Sequence, residues 1–347
     1  MSSTPPVGAV PVHRARASGH REQATRNDAV MARLTIIRGG SADPSGRRGS
    51  ALRAAADAGT LIRLTPGRFV DADEWRRATP GERHIARVKA VHDRLAARLV
   101  VSHASAAALH GLPWLGEFPS TVDVIDPLRT TAQTLAHVRK RAGAGRSLRT
   151  VSMVANGRPL TGLVSTAVDV AISNELRISV PALDVVLQRG VERRALFAEI
   201  EQRNAVHGRH RAMTAVELAD AASGSPGESV GRVALDELGA PRPVLQQEFR
   251  DTAGLIGRVD FWFPEQGAVI EFDGRAKYVD QSMRSAGVTA ADVLVAEKHR
   301  EDRIRRHPDV RTFGRFGWRE ANDAEALRGV LRSAGVPLTS RSFDRVR

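Results

Sequence analysis

The feature that most restricts the fold of this chain is the segment RVDFWFPEQGAVIEFDG, residues 258–274. Val259, Phe261 and Phe263 alternate with Arg258, Asp260 and Trp262, and Ala268, Ile270 and Phe272 alternate with Val269, Glu271 and Asp273. Period-two alternation of this kind is what a half-buried strand requires. A four-residue loop at Pro264-Glu265-Gln266-Gly267 sets Phe263 opposite Ala268 and, three pairs back, Asp260 opposite Glu271, with both carboxylates expected on one face. Directly opposed Cβ atoms stand ~4.5–5.5 Å apart, where two negative charges repel by roughly 3 kcal/mol at an effective dielectric near 20. Three devices make such a pair tolerable: a divalent cation, a shared proton, or basic neighbours such as Arg258, Lys277 and Lys298.

Composition narrows the first device. The 347 residues include no cysteine, which excludes thiolate zinc sites, iron–sulfur ligation, a disulfide scaffold and a cysteine nucleophile. Hard carboxylate oxygens without a histidine cluster favour Mg²⁺ or Mn²⁺ over Zn²⁺. Lys+Arg is 52 against 39 for Asp+Glu, so 52 − 39 gives a net charge of +13 and raises the expectation of a polyanionic partner. Only four lysines are present, and two of them, Lys277 and Lys298, flank the acidic hairpin. In an arginine-rich chain a retained lysine suits a place that needs a compact cation beside water or phosphate. The alternative is a solvated hairpin face whose acids pair with arginines.

The rest of the chain reads as an α/β (α+β) multidomain protein. Residues 1–30, rich in Pro and Arg, are expected to be a disordered arm. Residues 31–90 read as helices followed by the hairpin LIRLTPGRFV, with Arg47, Arg48 and Arg53 on or beside the helix and Arg63 and Arg68 in the hairpin. That is the layout of a winged helix-turn-helix, one helix in the major groove and a basic wing on the phosphates. Residues 91–221 mix helices and short strands. There SHASAAALHGLPW places His103 and His110 seven apart, best read as a packed Ala-rich helix capped by Ser102, and no phosphate loop or nucleophile elbow is present.

ASGSPG, residues 222–227, reads as a linker to a last domain over 222–336, followed by a flexible tail over 337–347. Nine of the fifteen aromatic residues fall between Phe249 and Trp318, which predicts the densest apolar core there. Ser225-Pro226-Gly227-Glu228 fits a capping box, and Glu228 can also point at the hairpin as a third carboxylate. VLVAEKHREDRIRRHPDV reads as a helix ending before Pro308, with Lys298–Asp302 and Glu301–Arg305 at i,i+4 spacing. No stretch has the ~20 apolar residues of a membrane helix, so a cytoplasmic protein without membrane contact is expected.

SPGES around Glu228, VDFWFPEQGAVIEFDG and AEKHREDR, taken in that order, resemble the PD-(D/E)XK endonuclease superfamily. The nearest branch is the domain of unknown function similar to very-short-patch-repair endonucleases. The resemblance covers about 110 residues. It implies a mixed sheet flanked by helices, Asp260 and Glu271 as metal ligands, Glu228 as helper, and hydrolysis of a phosphodiester bond. The superfamily's lysine two residues after the second acid is here Asp273. Either Lys277 or Lys298 supplies the cation, or Asp273 joins the metal shell, or the site is inactive. The short-patch-repair histidines have no match after Gly274, where Tyr278 stands instead.

ALRAAADAGTLIRLTPGRFV, SHASAAALHGLP and GRPLTGLVSTAVDVA are similar to the AbiEi-type antitoxins and transcriptional regulators, over most of residues 31–175. The two resemblances together imply a DNA-binding protein with a metal-dependent endonuclease-like domain, in phage defence or a toxin-antitoxin setting. Its partners would be DNA and a cognate toxin or other defence protein. The alternative they leave is an antitoxin-like repressor whose nuclease fold is inactive.

Overall fold

In a computed structural model the chain is described over residues 34–39, 47–148, 150–152, 159–203, 207–274 and 290–339. The expected arm over 1–30, Lys277, Tyr278 and most of the expected tail lie outside these residues. Strand β1 (Ile37–Arg38), helix α1 (Arg47–Asp57), β2 (Leu61–Thr65), β3 (Arg68–Asp71), α2 (Ala72–Arg77) and α3 (Pro80–His92) form the first unit. Its antiparallel sheet has the order β1-β3-β2, closed by a turn in which Gly67 has φ +70°, a conformation that costs glycine nothing. Leu64 and Val70 of the hairpin pack on Ala86 and Ala90 of α3, whereas α1 buries none of its side chains. At Thr79 a complete capping box with Glu82 starts α3.

The middle region begins with β4 (Val100–Val101), α4 (His103–Leu109), β5 (Val122–Asp126), β6 (Gln133–Thr134), β7 (Val138–Ala142), β8 (Thr150–Ser152) and β9 (Pro159–Thr161). These strands make a mixed sheet of order β6-β7-β5-β4-β9-β8. Four helices follow: α5 (Leu163–Ser173), α6 (Leu176–Gln188), α7 (Arg193–Glu201) and α8 (Arg209–Leu218). Val168, Leu183, Leu196, Ile200 and Val216 fill their interior. This aliphatic cluster is larger than either of the two cores that cover the faces of the last sheet.

The last unit comprises α9 (Pro226–Glu237), β10 (Val244–Asp251), β11 (Gly254–Phe263), β12 (Ala268–Asp273), α10 (Ala290–Arg305), β13 (Thr312–Gly317), α11 (Trp318–Ala321) and α12 (Ala324–Ser333). Its sheet runs β10-β11-β12-β13, antiparallel except for the parallel β12–β13 pair, with α10 lying between those two strands in the chain. α9 and α12 cover one face through Val230, Leu235, Leu327 and Leu331, and α10 covers the other through Ile304. Residues 222–227 are a packed corner and not a spacer. Ser223 is buried and bonded to the Ser229 hydroxyl, and Pro226 and Gly227 already belong to α9. α9 serves two cores, since Val233 packs in the helical cluster while Val230, Ala234 and Leu235 pack in that of the sheet. A buried Arg232–Asp184 pair fastens it to α6. The protein is thus an α+β multidomain fold of three sheets and twelve helices among the described residues. No helix among them is long and apolar enough to cross a membrane.

Candidate functional site

The pairing expected of the acidic hairpin is present: Phe263 faces Ala268, Trp262 faces Val269 and Phe261 faces Ile270. One step further the alternation slips. Val259 packs with Trp262 against Ile304, while Phe261 and Phe263 pack on the α9 side. At the slip the Asp260 side chain takes over a ladder position, its Oδ2 accepting a hydrogen bond from the Phe272 amide at 2.8 Å. Opposite, on β10, Gln246 adopts a left-handed backbone, φ +52°, uncommon for any residue other than glycine, asparagine or aspartate.

This irregularity builds the site. The Gln246 amide nitrogen donates to Asp260 Oδ1 at 3.0 Å and to Glu228 Oε2 at 2.9 Å, bridging two carboxylates. Glu228 Oε2 also accepts from the Gly224 amide at 2.8 Å. The capping box expected at α9 is therefore half formed: Ser225 Oγ accepts from the Glu228 amide, but the Glu228 side chain turns to Gly224 and Gln246. Burial, then the charges of Glu228 and Glu271, push the Asp260 carboxyl up to about 6, against the donated bonds from Phe272 and Gln246.

Glu271 is engaged from the other side of the sheet, which corrects the expectation of a single shared face. It is 8% exposed, its Oε1 accepting from Arg300 of α10 at 2.7 Å and its Oε2 from Arg315 of β13 at 3.2 Å. Both arginines continue into Glu297, and Arg315 also pairs with Glu301. Arg300 holds its proton more tightly than usual, chiefly through its hydrogen bond to Glu297. Of the basic neighbours named from sequence, Arg258 pairs with Glu248 instead, and Lys298 is exposed on α10. Of the two i,i+4 pairs expected on that helix, Glu301–Arg305 forms. Asp273 ends β12, exposed and in register with Gly317.

Among the described residues no three His, Asp or Glu side chains are grouped so as to hold a metal ion. A magnesium site asks for less, since one or two carboxylates with water and substrate oxygens complete its octahedron. Asp260 suits that demand: its hard oxygens keep lone pairs free beside their hydrogen bonds, and its proton affinity is raised first by burial and then by the charges of Glu228 and Glu271. Glu271 suits it less, because two guanidinium groups already meet its charge.

In the first unit, Arg47, Arg48, Arg53 and Arg63 are exposed on α1 and β2. Arg68 differs, being largely buried against Asp93, which Arg38 also pairs. His103 and His110 face different partners: His103 is buried beside Asp169, and His110 bonds the Thr161 carbonyl. Ser102 occupies the cap position of α4 without capping it, its hydroxyl bonding the His103 ring. Sequence reasoning missed Gln246, Arg300 and Arg315. Arg300 left a trace, an i,i+3 spacing from Glu297. Arg315 and Gln246 left none, because their roles depend on a parallel crossover and on a bulge-like backbone.

No protein-family profile matches the sequence. The uncharacterized proteins Rv2248 and MT2308, from two strains of Mycobacterium tuberculosis, are each 30% identical over 250 residues, spanning 65% of this chain and 87% of their own length. Among solved structures, the crystal structure of the RV2827C protein from Mycobacterium tuberculosis covers 66% of this chain and 88% of its own at 15% identity, with a TM-score of 0.31.

Proposed function

This chain belongs to the family of the uncharacterized Mycobacterium tuberculosis proteins Rv2248 and MT2308, and we propose from its own residues that it is a cytoplasmic DNA-binding protein whose C-terminal sheet hydrolyses phosphodiester bonds with Mg²⁺ or Mn²⁺. The observation that carries the proposal is the Asp260 carboxyl, half-buried, bridged to Glu228 by Gln246 and pushed up to about 6. A fold that keeps negative charge so concentrated has use for a cation there, and the motif order shared with PD-(D/E)XK nucleases supports the same reading. A Mg²⁺ or Mn²⁺ ion held by Asp260 would supply polarisation of the scissile phosphate and a water of lowered pKa. Gln246 and the Phe272 amide fix the two Asp260 oxygens, and Glu228 anchors the Gln246 amide from the start of α9. The resemblance gives the cation that faces developing phosphate charge as Lys298 or Lys277, and exposed arginines of α1 and β2 would supply contacts to the DNA backbone. Incubating the purified chain with plasmid and Mg²⁺ or Mn²⁺ tests this. Cleavage by wild type, abolished in Asp260→Ala and Glu271→Ala, is expected; equal cleavage by all three would identify a contaminant and defeat the proposal.

A second reading has its own support. Glu271 is neutralised by Arg300 and Arg315, and an acid stands where the superfamily has lysine. On that reading the sheet is a scaffold and the protein an antitoxin-like repressor acting through residues 31–90, with a toxin or other phage-defence protein as partner. Footprinting upstream of the gene discriminates: a protected operator beside a toxin gene supports repression, and no protected site removes it.

A further inference from the structure

The middle region carries a second concentration of charge that hydrolysis at the last sheet does not use. Asp169 of α5 lies beneath the middle sheet with only 4% of its side chain exposed, its Oδ1 accepting from Arg146 at 2.9 Å and lying 3.3 Å from Arg203 Nη1. Arg203, at the end of α7, also holds Glu199, which the Ser165 hydroxyl bonds in turn. His103 Nδ1 stands 3.6 Å from Asp169 Oδ2 and is hydrogen-bonded to Ser102 Oγ at 3.0 Å. On β7, Arg141 reaches Asp123 at 2.9 Å, and both Arg139 and Arg141 bear electrostatically on His103.

Three polar atoms at the centre of this cluster are buried without a hydrogen-bond partner among the described residues: Asp169 Oδ2, Arg146 Nε and Arg203 Nε. Each such atom costs about 1–3 kcal/mol, and three in one place point to an occupant that brings acceptors for two N–H groups and shares a proton with a carboxylate. His103 has φ +50°, a left-handed conformation uncommon outside glycine though less so for histidine, at the point where its ring enters the cluster.

We infer that this cluster binds a phosphate monoester, with Arg146 Nε and Arg203 Nε donating to its oxygens and Asp169 Oδ2 sharing a proton with a third. The charge balance suits an anion. Arg139, Arg141, Arg146 and Arg203 face Asp123, Asp169 and Glu199, and burial lifts the Asp169 carboxyl to about 7, so that it surrenders part of its charge at neutral pH. His103 is held neutral, chiefly by burial and then by Arg141, Arg146 and Arg139, and so adds no charge of its own. A diester does not fit: its one acidic proton is fully lost at neutral pH and it needs two exits, whereas Asp169, Arg203 and His103 are each over nine-tenths enclosed. A monoester needs one exit. Arg141 and Arg146, with side chains 25% and 23% exposed, form the solvent side through which its single ester arm would leave. Sulfate matches the shape but brings no proton of its own, so it depends on the proton of Asp169, which is lost as pH rises through about 7.

The test uses the full chain at low ionic strength, with thermal shift and ³¹P line broadening as readouts. The probes are inorganic phosphate, AMP, adenosine, sulfate, and one oligonucleotide with and without a 5′-phosphate. Saturable stabilisation by phosphate or AMP, absent with adenosine, is expected, with sulfate falling behind inorganic phosphate as pH rises above 7. A tighter response to the 5′-phosphorylated strand than to its 5′-hydroxyl twin would assign the site to nucleic-acid ends, and equal responses of the two strands to free phosphate or nucleotide. Arg146→Gln should weaken binding at least tenfold, and Arg141→Gln, at a more exposed position, provides a second variant. Asp169→Asn should erase the preference for phosphate over sulfate, because an amide can donate to either anion. No saturable response to about 10 mM phosphate, an equal response to sulfate and inorganic phosphate in wild type at pH 8, or unchanged affinity in both arginine variants would overturn the inference, leaving ordered water as the partner of the three atoms.

Discussion

Arg300 Nη2 stands 2.7 Å from Glu271 Oε1 and 2.7 Å from Glu297 Oε1, so one guanidinium ties an inner strand of the last sheet to its crossover helix. Its side chain also crosses Gly257, where a Cβ would come within 3.0 Å of it, and its Nη1 donates to the Arg258 carbonyl. Arg300→Met leaves Glu271 with Arg315 alone. A loss of about 2–3 kcal/mol is expected, below the 3–5 kcal/mol typical of a buried charge left without any partner. Urea unfolding measures it. If Glu271 ligates a cation, 10 mM Mg²⁺ should recover part of that loss in the variant while changing wild type little.

Gln246 keeps Glu228 and Asp260 apart by donating to both. Gln246→Leu removes the donor and leaves the two acids facing each other, with an expected cost of about 1–3 kcal/mol near neutral pH. Gln246→Asn tolerates the left-handed backbone but has a shorter reach, so it should fall between the two in thermal unfolding. Equal stability of all three proteins would mean that the bridge has no structural consequence.

The pH dependence of stability should carry the signature of Asp169. Its folded carboxyl, lifted to about 7, binds a proton more tightly than the unfolded chain does. Its contribution is therefore complete below about pH 4 and lost as pH rises through 7, on the order of 4 kcal/mol in total. Asp169→Asn should flatten that slope. The difference between the two proteins, measured by denaturation from pH 4 to 8, isolates it from His103, whose depressed pKa tilts stability the opposite way below about 6.5.

The arginines of the first unit divide into two kinds. Arg63→Gln on the exposed face of β2 should weaken DNA binding similarly across sequences and reduce the salt slope by about one, with little change in stability. Arg68→Gln should behave otherwise, because its side chain is 14% exposed and paired with Asp93, so stability falls more than affinity does. Fluorescence anisotropy at several salt concentrations, beside thermal unfolding, separates the two.

What the sequence made legible follows from how local each signal is. Alternation and a four-residue loop were enough for the β11–β12 register, and Pro66-Gly67 for the first hairpin, because neither depends on distant residues. The face on which Asp260 emerges was not legible. It is decided by a phase slip that answers to Gln246 on a neighbouring strand and to the Phe272 amide. The Glu271 clamp was hidden for a related reason, since Arg315 reaches it only after a parallel return of the chain through α10. The corner at 222–227 has the composition of a tether, and the Asp184 carboxylate that fastens both of its flanks, through Asp220 on one side and Ser229 and Arg232 on the other, lies some forty residues earlier.

α9 belongs at once to the helical bundle before it and to the sheet after it, and its Arg232 is sealed against Asp184. A cut at the compositional boundary would strip one half of a wall and leave the other with a naked apolar stripe, so the fragments should aggregate when expressed apart. In the same way, a recombination event that exchanges the last sheet for another has to carry this helix along with both of its surfaces, which makes the two halves a single heritable piece.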